Sequence, residues 1–349
     1  MKSKYNFHFA IFISLLLLCS CKNDMNSPEY DPANPGLADV VPVPCDDPPL
    51  RNWVLNQYFS WGKDATLIAT SAELTMDQLA LLYTLYYEIN PSNQSFGPEG
   101  EYTVQIKAGF QDLKRFWDID SDCIFLVATH GSMLQDRSKV FKMYKTNGAS
   151  DAKANKYADS VANLFQIYPQ LLNGNHPAFT FNQLATPDTI LAGIGPIPPK
   201  IIIGDGVLQG FESLGLGDFA PHAILAHEFG HHIQYDLGIL VKGMERGKEL
   251  IPKTARRIEL MADAYAAYYL FHPEGAAMGE ESLQHYRNVF FNLGDCLFED
   301  NSHHGTPSQR IAAFEWGYRL AKEPNGKGHI LPSLELAKLF DAELEKILK

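Results

Sequence analysis

Apolar side chains recur every three or four residues in two segments of the first half of the chain, a spacing that places them on one face of a helix. Thr75 and Gln78 form a capping-box pair, which marks the start of the first predicted helix. Its apolar positions are Leu79, Leu81, Leu82, Leu85 and Tyr86. The second predicted helix carries Tyr157, Val161, Leu164, Phe165 and Tyr168. Pro169 is expected to end or bend this second helix, because proline cannot continue the helical hydrogen bonds.

The second half of the chain is predicted to be more helical. Asp218 is expected to cap a helix that runs from Phe219 onward, and Pro221 fits its first turn, where backbone donors are unpaired in any case. Further helices are predicted at residues 254–270 and, as a last amphipathic helix, at residues 334–348.

A helix is also predicted to begin at Thr306. The segment Thr306-Pro307-Ser308-Gln309 has a capping residue, a proline at the first helical position and a glutamine at the third. The side chains expected to face inward from this helix are Ile311, Phe314 and Tyr318.

Three short segments have strand patterns. Residues 101–106 alternate between polar and apolar side chains, and residues 123–129 form a continuous apolar run. The segment Lys200–Gly204 follows the stiff sequence Pro196-Ile197-Pro198-Pro199 and has the strongest strand propensity in the chain. Many helices with few strands predict an α+β protein, mostly helical with a small mixed sheet.

The first twenty residues are typical of a secretory signal peptide. Lys2 and Lys4 precede an apolar run that is too short to span a bilayer. The run ends in Leu18-Cys19-Ser20-Cys21, which resembles the bacterial lipoprotein box, so Cys21 is the expected lipid anchor. An ordinary cleavable signal with incidental cysteines is the alternative.

The remaining chain divides by composition into a tether and a folded part. Residues 21–50 are rich in proline and predict a semi-rigid tether. Residues 51–349 are the expected folded domain, with an N-terminal part at 51–200 and a metal-site part at 201–349. The predicted location is the bacterial cell envelope, on the outer membrane or the cell surface rather than the inner membrane, because Lys22 is not the aspartate that marks inner-membrane retention.

Composition narrows the functional classes. Of the 349 residues, 46% are hydrophobic and 20% are charged, which supplies a large core and excludes general disorder. The formal net charge of −12 disfavours nucleic acid and anionic lipid as partners. Apart from Cys19 in the leader and Cys21 as the lipid anchor, the cysteines are Cys45, Cys123 and Cys296. They form no Cys-x-x-Cys motif, so a thiolate metal cluster is not expected. One disulfide with a spare thiol and no disulfide at all both fit their number.

The sequence His227-Glu228-Phe229-Gly230-His231 lies inside the helix predicted after Asp218. Residues four apart on a helix have Cβ atoms about 5–6 Å apart on one face, so both imidazoles can bind one ion. Zinc accepts neutral imidazoles, and a catalytic zinc takes three protein ligands and leaves one position for water. Glu228 is then placed to act as a general base on that water. Two surface histidines that share a face by chance are the alternative.

The third metal ligand is expected on the next helix, where Glu259 and Asp263 lie four residues apart. Glu259 would bind the metal, while Asp263 would accept the outward N–H of a ligand histidine. Gln234 and Leu237 exclude a metzincin, which has glycine and histidine at those two positions. A solvated acidic face is the alternative, but the helix is otherwise apolar, and unpaired carboxylates are costly to bury there.

These segments together resemble the neutral zinc metallopeptidase family of bacterial envelope proteins, a family of gluzincins with the pattern His-Glu-x-x-His followed by Glu-x-x-x-Asp. The late segment His304-Gly305-Thr306-Pro307-Ser308-Gln309-Arg310 matches the family's His-Gly-Thr-x-x-Gln-Arg, and Asn292-Leu293-Gly294-Asp295 is similar to its Leu-Gly-Asp. The resemblance covers residues 217–318. It implies a zincin-like fold with the small sheet beside the active-site helix.

Two positions depart from the family pattern. Met261 and Ala264 stand where the family usually has glutamine and cysteine, and residues 51–200 contain no family landmark. The contribution of those two family side chains is therefore absent here, and substrate selection is the least transferable property.

His304 is a further candidate because it lies two residues before the predicted cap Thr306, so a rigid element holds its backbone. Its imidazole could donate a hydrogen bond to the oxyanion that develops during amide hydrolysis. The alternative is that His304 or His303 bonds a nearby carbonyl group. His222 and His232 lie off the face shared by the metal ligands and are expected to be packing or hydrogen-bonding residues.

The sequence therefore predicts a zinc-dependent peptidase in which zinc-activated water attacks a peptide bond, with Glu228 as base and His304 as oxyanion donor. The strand at residues 201–203 is expected to lie beside the active-site helix and to pair an extended peptide through its free edge. The expected partners are a peptide or protein substrate and, through the lipid alone, a membrane. Two alternatives remain: a lipid-anchored binding protein with a structural or vestigial zinc site, and a zinc hydrolase that cuts a cell-wall amide or ester.

Overall fold

A computed structural model describes residues 39–71, 73–240, 251–300, 303–323 and 329–349. The predicted signal peptide, Cys21 and most of the predicted tether lie outside these described residues. Within them, no helix combines the length and the apolar character needed to cross a membrane.

Helices account for 62% of the structure, which confirms a mostly helical α+β protein. The first-half helices are α1 (Pro49–Ser60), α2 (Lys63–Ser71), α3 (Met76–Tyr87), α4 (Thr103–Phe116), α5 (Arg137–Thr146) and α6 (Asp151–Ile167). The second-half helices are α7 (Asp205–Ser213), α8 (Ala220–Asp236), α9 (Ile251–Phe271), α10 (Leu283–Asn292), α11 (Pro307–Lys322) and α12 (Ser333–Ile347). The strands are β1 (Phe125–Thr129), β2 (Gln183–Thr186), β3 (Thr189–Leu191), β4 (Gly195–Ile197) and β5 (Lys200–Gly204).

The main sheet has the strand order β1-β5-β2. β1 runs parallel to β5, with Leu126 opposite Ile201, and β2 runs antiparallel to β5, with Leu184 opposite Ile202. β3 and β4 form a separate hairpin. The expectation that the strand at 201–203 has a free edge is wrong, because β5 is the central strand. The strand beside β5 that lies at the sheet edge and against α8 is β2.

The prediction of a strand at residues 101–106 is also wrong, because helix α4 begins at Thr103. Its buried residues include Ile106, Phe110 and Leu113, which follow helical spacing. Six alternating residues are too few to distinguish a strand from a helix, since the helical period becomes visible only further along the chain.

The capping predictions had mixed outcomes. At α11 the backbone N–H of Gln309 donates to Thr306 Oγ1 and the backbone N–H of Thr306 donates to Gln309 Oε1, both at 3.2 Å, so the capping box is confirmed. Asp218 does not cap α8: the N-cap position is Phe219, which offers no side-chain acceptor. The carbonyl group of Asp218 instead accepts a hydrogen bond from Gln105 Nε2.

Small residues set the distance between the helices that carry the candidate site. A Cβ atom added to Gly230 of α8 would lie 3.1 Å from the Cα atom of Ala262 of α9. A Cβ atom added to Gly317 of α11 would lie 2.3 Å from the carbonyl oxygen of Ala264. α8 and α11 therefore contact the backbone of α9 almost directly, which brings the side chains on these helices within hydrogen-bonding range of one another.

Replacing Gly317 by alanine is expected to destabilise the protein. Intrinsic helix propensity alone would favour alanine by about 0.5–1 kcal/mol, but the added methyl group must push α11 away from α9. We expect a net loss of about 1–3 kcal/mol in the free energy of unfolding, measured by urea denaturation. Arg319→Ala, on the exposed side of the same helix, should change it by less than about 0.5 kcal/mol. A more stable Gly317→Ala variant would contradict the close packing.

Candidate metal centre

Two adjacent helices carry the candidate metal ligands. α8 contributes His227 and His231, whose rings share one face because they are four residues apart. α9 contributes Glu259 on the surface that packs against α8. His227 and His231 are buried, and Glu259 is largely buried.

The three potential ligand atoms lie close together. His227 Nε2 is 3.1 Å from His231 Nε2 and 3.2 Å from Glu259 Oε2, and His231 Nε2 is 3.4 Å from Glu259 Oε1. Ligands about 2.0–2.1 Å from a tetrahedral zinc ion are separated from one another by about 3.3 Å. The spacing of the three side chains therefore fits one zinc ion.

The outer hydrogen bonds of the two imidazoles direct their Nε2 lone pairs inward. His227 Nδ1 donates to Asp263 Oδ1 and His231 Nδ1 donates to Gln234 Oε1, both at 2.9 Å. Gln234 Nε2 donates to the carbonyl oxygen of Ile258 at 2.7 Å, so the amide oxygen of Gln234 must face His231. Nitrogen lone pairs and a carboxylate that converge at this distance repel one another unless a cation lies between them, and the donor set therefore fits zinc.

Charge and burial shift the pKa values of these groups. Burial alone would lower the pKa of His227, but hydrogen bonds with Asp263 and Glu259 outweigh it and raise the pKa to about 9. Burial lowers the pKa of His231 to about 4. Although burial opposes the shift, the histidine partners hold the pKa of Glu259 well below its usual range. A single proton on His227 can form a hydrogen bond with Glu259, but His231 then still faces that carboxylate. A divalent ion would bind all three groups.

Glu228 lies between the two histidines in sequence and is 3% exposed. Burial, together with the charge of Glu259, raises the pKa of Glu228 to about 7. Among the described residues, none makes a hydrogen bond with its carboxyl group. Glu228 therefore has a carboxyl group near the ligands that is free to bond water or substrate.

Arg310 connects the candidate metal ligand Glu259 to Asp263. Its guanidinium is buried and donates from Nη1 to Glu259 Oε2 at 3.1 Å and from Nη2 to Asp263 Oδ1 at 2.8 Å. Burial raises the pKa of Asp263, while Arg310 and His227 favour its ionised form. Asp263 thus lies behind His227, within hydrogen-bonding distance of its Nδ1. In the sequence, Arg310 is the last residue of the His304–Arg310 segment, and no role was predicted for it.

His304 lies at the rim of the site, with 48% of its side chain exposed. Its backbone N–H and its Nδ1 both donate to Asp295 Oδ2, at 2.8 and 3.1 Å. Partial desolvation of the ring opposes protonation of His304, but the carboxylates of Glu259 and Asp295 raise its pKa. The structure therefore brings His304 within electrostatic range of Glu259 and shows that Asp295 holds it.

The sequence analysis assigned Gln234 and Tyr235 no role at the site, although both lie near the candidate ligands. Gln234 follows His231 by three residues and Tyr235 by four, so helical spacing was the available signal for both. Burial, followed by the charges of Glu228 and Glu259, raises the pKa of the Tyr235 hydroxyl. The tyrosine therefore lies on the same side of α8 as the ligand carboxylate.

The remaining histidines of α8, His222 and His232, make polar contacts with other parts of the fold. His222 Nδ1 pairs with Gln105 Nε2 at 3.1 Å, and His232 Nε2 pairs with the carbonyl oxygen of Lys200 at 3.0 Å. The second contact attaches α8 to the first residue of β5.

The structure selects one of the cysteine alternatives. Cys45 and Cys296 form a disulfide, with their Cα atoms 5.8 Å apart. Cys123 is exposed and lies outside this bridge.

Chelation of zinc should lower the melting temperature of the protein. A ligand that binds only the folded state stabilises it by about 2.7 kcal/mol when its free concentration is a hundred times its Kd. Differential scanning fluorimetry at controlled free zinc would measure this effect. His231→Ala should melt at a temperature that zinc does not change, and a wild-type protein equally indifferent to zinc would contradict the site.

Comparisons with known proteins agree with this geometry. Residues 211–325 match the family model described as "Putative neutral zinc metallopeptidase". An uncharacterized protein of Mycobacterium tuberculosis is 26% identical over 129 residues, covering 31% of this chain and 43% of the relative. The uncharacterized protein YpfJ of Escherichia coli is 29% identical over 116 residues, covering 29% of this chain and 40% of the relative. No solved structure matches the chain.

The chain thus spans less than half the length of each of these curated relatives. The matched segment nevertheless contains α8, α9 and the loop with His304. Residues 211–325 of this chain are accordingly similar to the family described as a putative neutral zinc metallopeptidase.

Proposed function

We propose that this protein is a zinc-dependent peptidase, with His227, His231 and Glu259 as the residues that would hold Zn²⁺. The observation that carries the proposal is the combination of this converging His-His-Glu set with the Glu228 carboxyl group, buried and without a hydrogen-bond partner in the described part of the chain. A structural zinc site has no use for such a group, because its coordination positions are all filled by protein ligands.

Zinc bound at this site would polarise a peptide carbonyl group and lower the pKa of water. Glu228 then accepts the proton of the attacking water and delivers it to the leaving amine. His304, fixed by Asp295, donates a hydrogen bond to the oxygen atom that gains negative charge. Asp263 and Gln234 keep the ligand histidines in the required tautomers.

The edge strand β2 is the proposed platform for the substrate backbone. β2 lies against α8 and pairs with β5 on one side. Its other side pairs with no strand among the described residues. An extended peptide could add to that edge through main-chain hydrogen bonds. We therefore propose β2, rather than β5, for the recognition role.

We further propose that the protein is anchored in the bacterial envelope by lipid on Cys21. Support comes from the charged-then-apolar leader and the Leu18-Cys19-Ser20-Cys21 box. Mass spectrometry of the N-terminal peptide from membranes should find an acylated Cys21, and Cys21→Ser should release the protein from the membrane fraction. An unmodified N-terminus cleaved at another residue would contradict the anchor.

The deciding experiment measures zinc content and hydrolysis on the same preparation. We expect one zinc per chain and cleavage of a fluorogenic peptide library that stops on chelation and returns with zinc. Muropeptides tested in parallel distinguish a cell-wall amidase from a peptidase. A cobalt-substituted protein whose absorption spectrum does not respond to a peptide hydroxamate would lack an open coordination position, and the peptidase proposal would then fail.

A further inference from the structure

The only disulfide in the described part of the chain joins the start of the folded region to the loop that holds His304. Cys45 and Cys296 are 251 positions apart in sequence. Cys296 directly follows Asp295, and Cys45 Sγ lies 3.8 Å from the carbonyl oxygen of Asp295. A covalent bond between distant segments therefore ends one residue from the carboxylate that orients the rim histidine.

Asp295 organises this loop through both oxygens of its side chain. Oδ1 accepts from the Leu297 N–H at 2.8 Å and from His303 Nδ1 at 2.5 Å. Oδ2 accepts from the backbone N–H and the Nδ1 of His304. The Asp295 N–H donates to the carbonyl oxygen of Gly305 at 3.0 Å. Displacing Asp295 would therefore release the His304 ring and its backbone together.

The chain after Asp295 has few buried contacts of its own. Residues 296–300 are exposed or half-buried, and Leu297 is among the exposed apolar residues. On the opposite side of the disulfide, the Leu50 N–H donates to Asn292 Oδ1 at 2.9 Å, which fixes the start of α1 against the end of α10. The disulfide thus joins two lightly packed segments, because residues 41–47 around Cys45 are also exposed or half-buried.

We propose that the Cys45–Cys296 disulfide is a redox latch on the peptidase site, an inference that rests on the proposed function. With the disulfide formed, Asp295 holds His304 in position for the oxyanion. A dithiol reductant would convert the protein disulfide into two thiols and be oxidised to its own disulfide, so two electrons and two protons pass to the protein. The loop then loosens and turnover falls, while the metal ligands on α8 and α9 stay in place.

A purely structural disulfide is the competing explanation. Closing so long a loop stabilises the fold in either case, so a lower melting temperature on reduction does not discriminate between the two. The latch makes two additional claims. Reduction must release the N–H groups of Leu297 and His304, and it must lower kcat without removing zinc.

The test compares oxidised wild type, wild type reduced with a phosphine, and the Cys45→Ser/Cys296→Ser variant, each loaded with zinc. We expect faster amide hydrogen exchange at Leu297 and His304 in the last two samples, a kcat lower by about 10-fold or more, and one zinc per chain throughout. Cys123→Ser, a change at the exposed cysteine outside the bridge, should behave like wild type in both redox states.

An Asp295→Asn variant shows whether the effect passes through Asp295. It should already have low kcat when oxidised, and reduction should change that kcat no further. Unchanged exchange and kcat on reduction, loss of zinc on reduction, or a redox effect that persists in Asp295→Asn would each overturn the latch.

The test still gives an answer if the serine variant does not fold or if the wild type cleaves no peptide. If the serine variant does not fold, native wild type is reduced at a temperature where its circular dichroism stays constant and is measured before unfolding. If oxidised wild type cleaves no peptide, the proposed function fails, but exchange at Leu297 and His304 still decides whether the disulfide holds the loop.

Discussion

Glu228→Gln should bind zinc normally and lose peptide hydrolysis. Glutamine keeps the size of the side chain and its place on α8, but it cannot accept the proton of an attacking water. A positioned general base contributes roughly 10²–10⁴-fold to such reactions, so kcat should fall by that factor while KM changes little. Steady-state kinetics on one fluorogenic peptide, with metal content measured on the same samples, would show this separation.

Two controls bracket the Glu228 result. His231→Ala removes a proposed ligand and should lose zinc and activity together. Glu281→Gln makes the same chemical change at an exposed position and should leave both unchanged. A Glu228→Gln variant as active as wild type would remove Glu228 from the mechanism, even if zinc proved essential.

The second large effect is expected for Arg310→Met. Methionine fills a similar space but leaves the Asp263 carboxylate, which is 0% exposed, without its cationic partner. Removing one member of a buried ion pair costs about 3–5 kcal/mol, because the remaining charge stays buried. Zinc can compensate Glu259 but does not reach Asp263, so the loss should persist in the zinc-loaded protein.

Arg310→Met should also weaken zinc binding. In the wild-type protein, Arg310 orients the proposed ligand Glu259 directly through a hydrogen bond. It orients His227 indirectly, through its hydrogen bond with Asp263. Loss of such outer contacts typically lowers metal affinity about 10–100-fold. Chemical denaturation and competition with a chromophoric chelator measure the two effects, and Arg319→Met on exposed α11 surface is the control. A stable Arg310→Met variant with normal zinc affinity would mean that Asp263 is neutral in the folded protein.

Local patterns predicted the parts of this protein that depend on neighbours within one or two helical turns. The capping box at Thr306 works through residues three apart, and the shared face of His227 and His231 follows from their spacing. The strand at Lys200–Gly204 was visible because its isoleucines have strong strand propensity. The same reasoning failed at residues 101–106, where a short alternation concealed the longer helical period of α4.

Lys200 shows where strand propensity stops being informative. The segment was correctly predicted as a strand, but its lysine is fully buried. Its Nζ atom donates to the carbonyl oxygens of Thr84, Leu85 and Glu88 at the end of α3, at 2.9, 2.7 and 2.6 Å. Nothing near Lys200 in the sequence indicates that a helix more than a hundred residues away needs its last carbonyl groups satisfied.

By itself the sequence determined the helical face that presents the two histidines, the N-terminal cap of α11, and the candidate carboxylates at 259 and 263. Tertiary structure alone decided that Glu259 approaches both imidazoles, that Gln234 and Arg310 complete their hydrogen bonding, and which two of three cysteines pair. It also made β5 the central strand and β2 an edge strand. The physical reason is range: helix periodicity and capping act between residues a few positions apart, whereas these contacts join residues far apart in the sequence. Those of Glu259 and Arg310, for example, depend on how closely Gly230 and Gly317 let α8 and α11 approach α9.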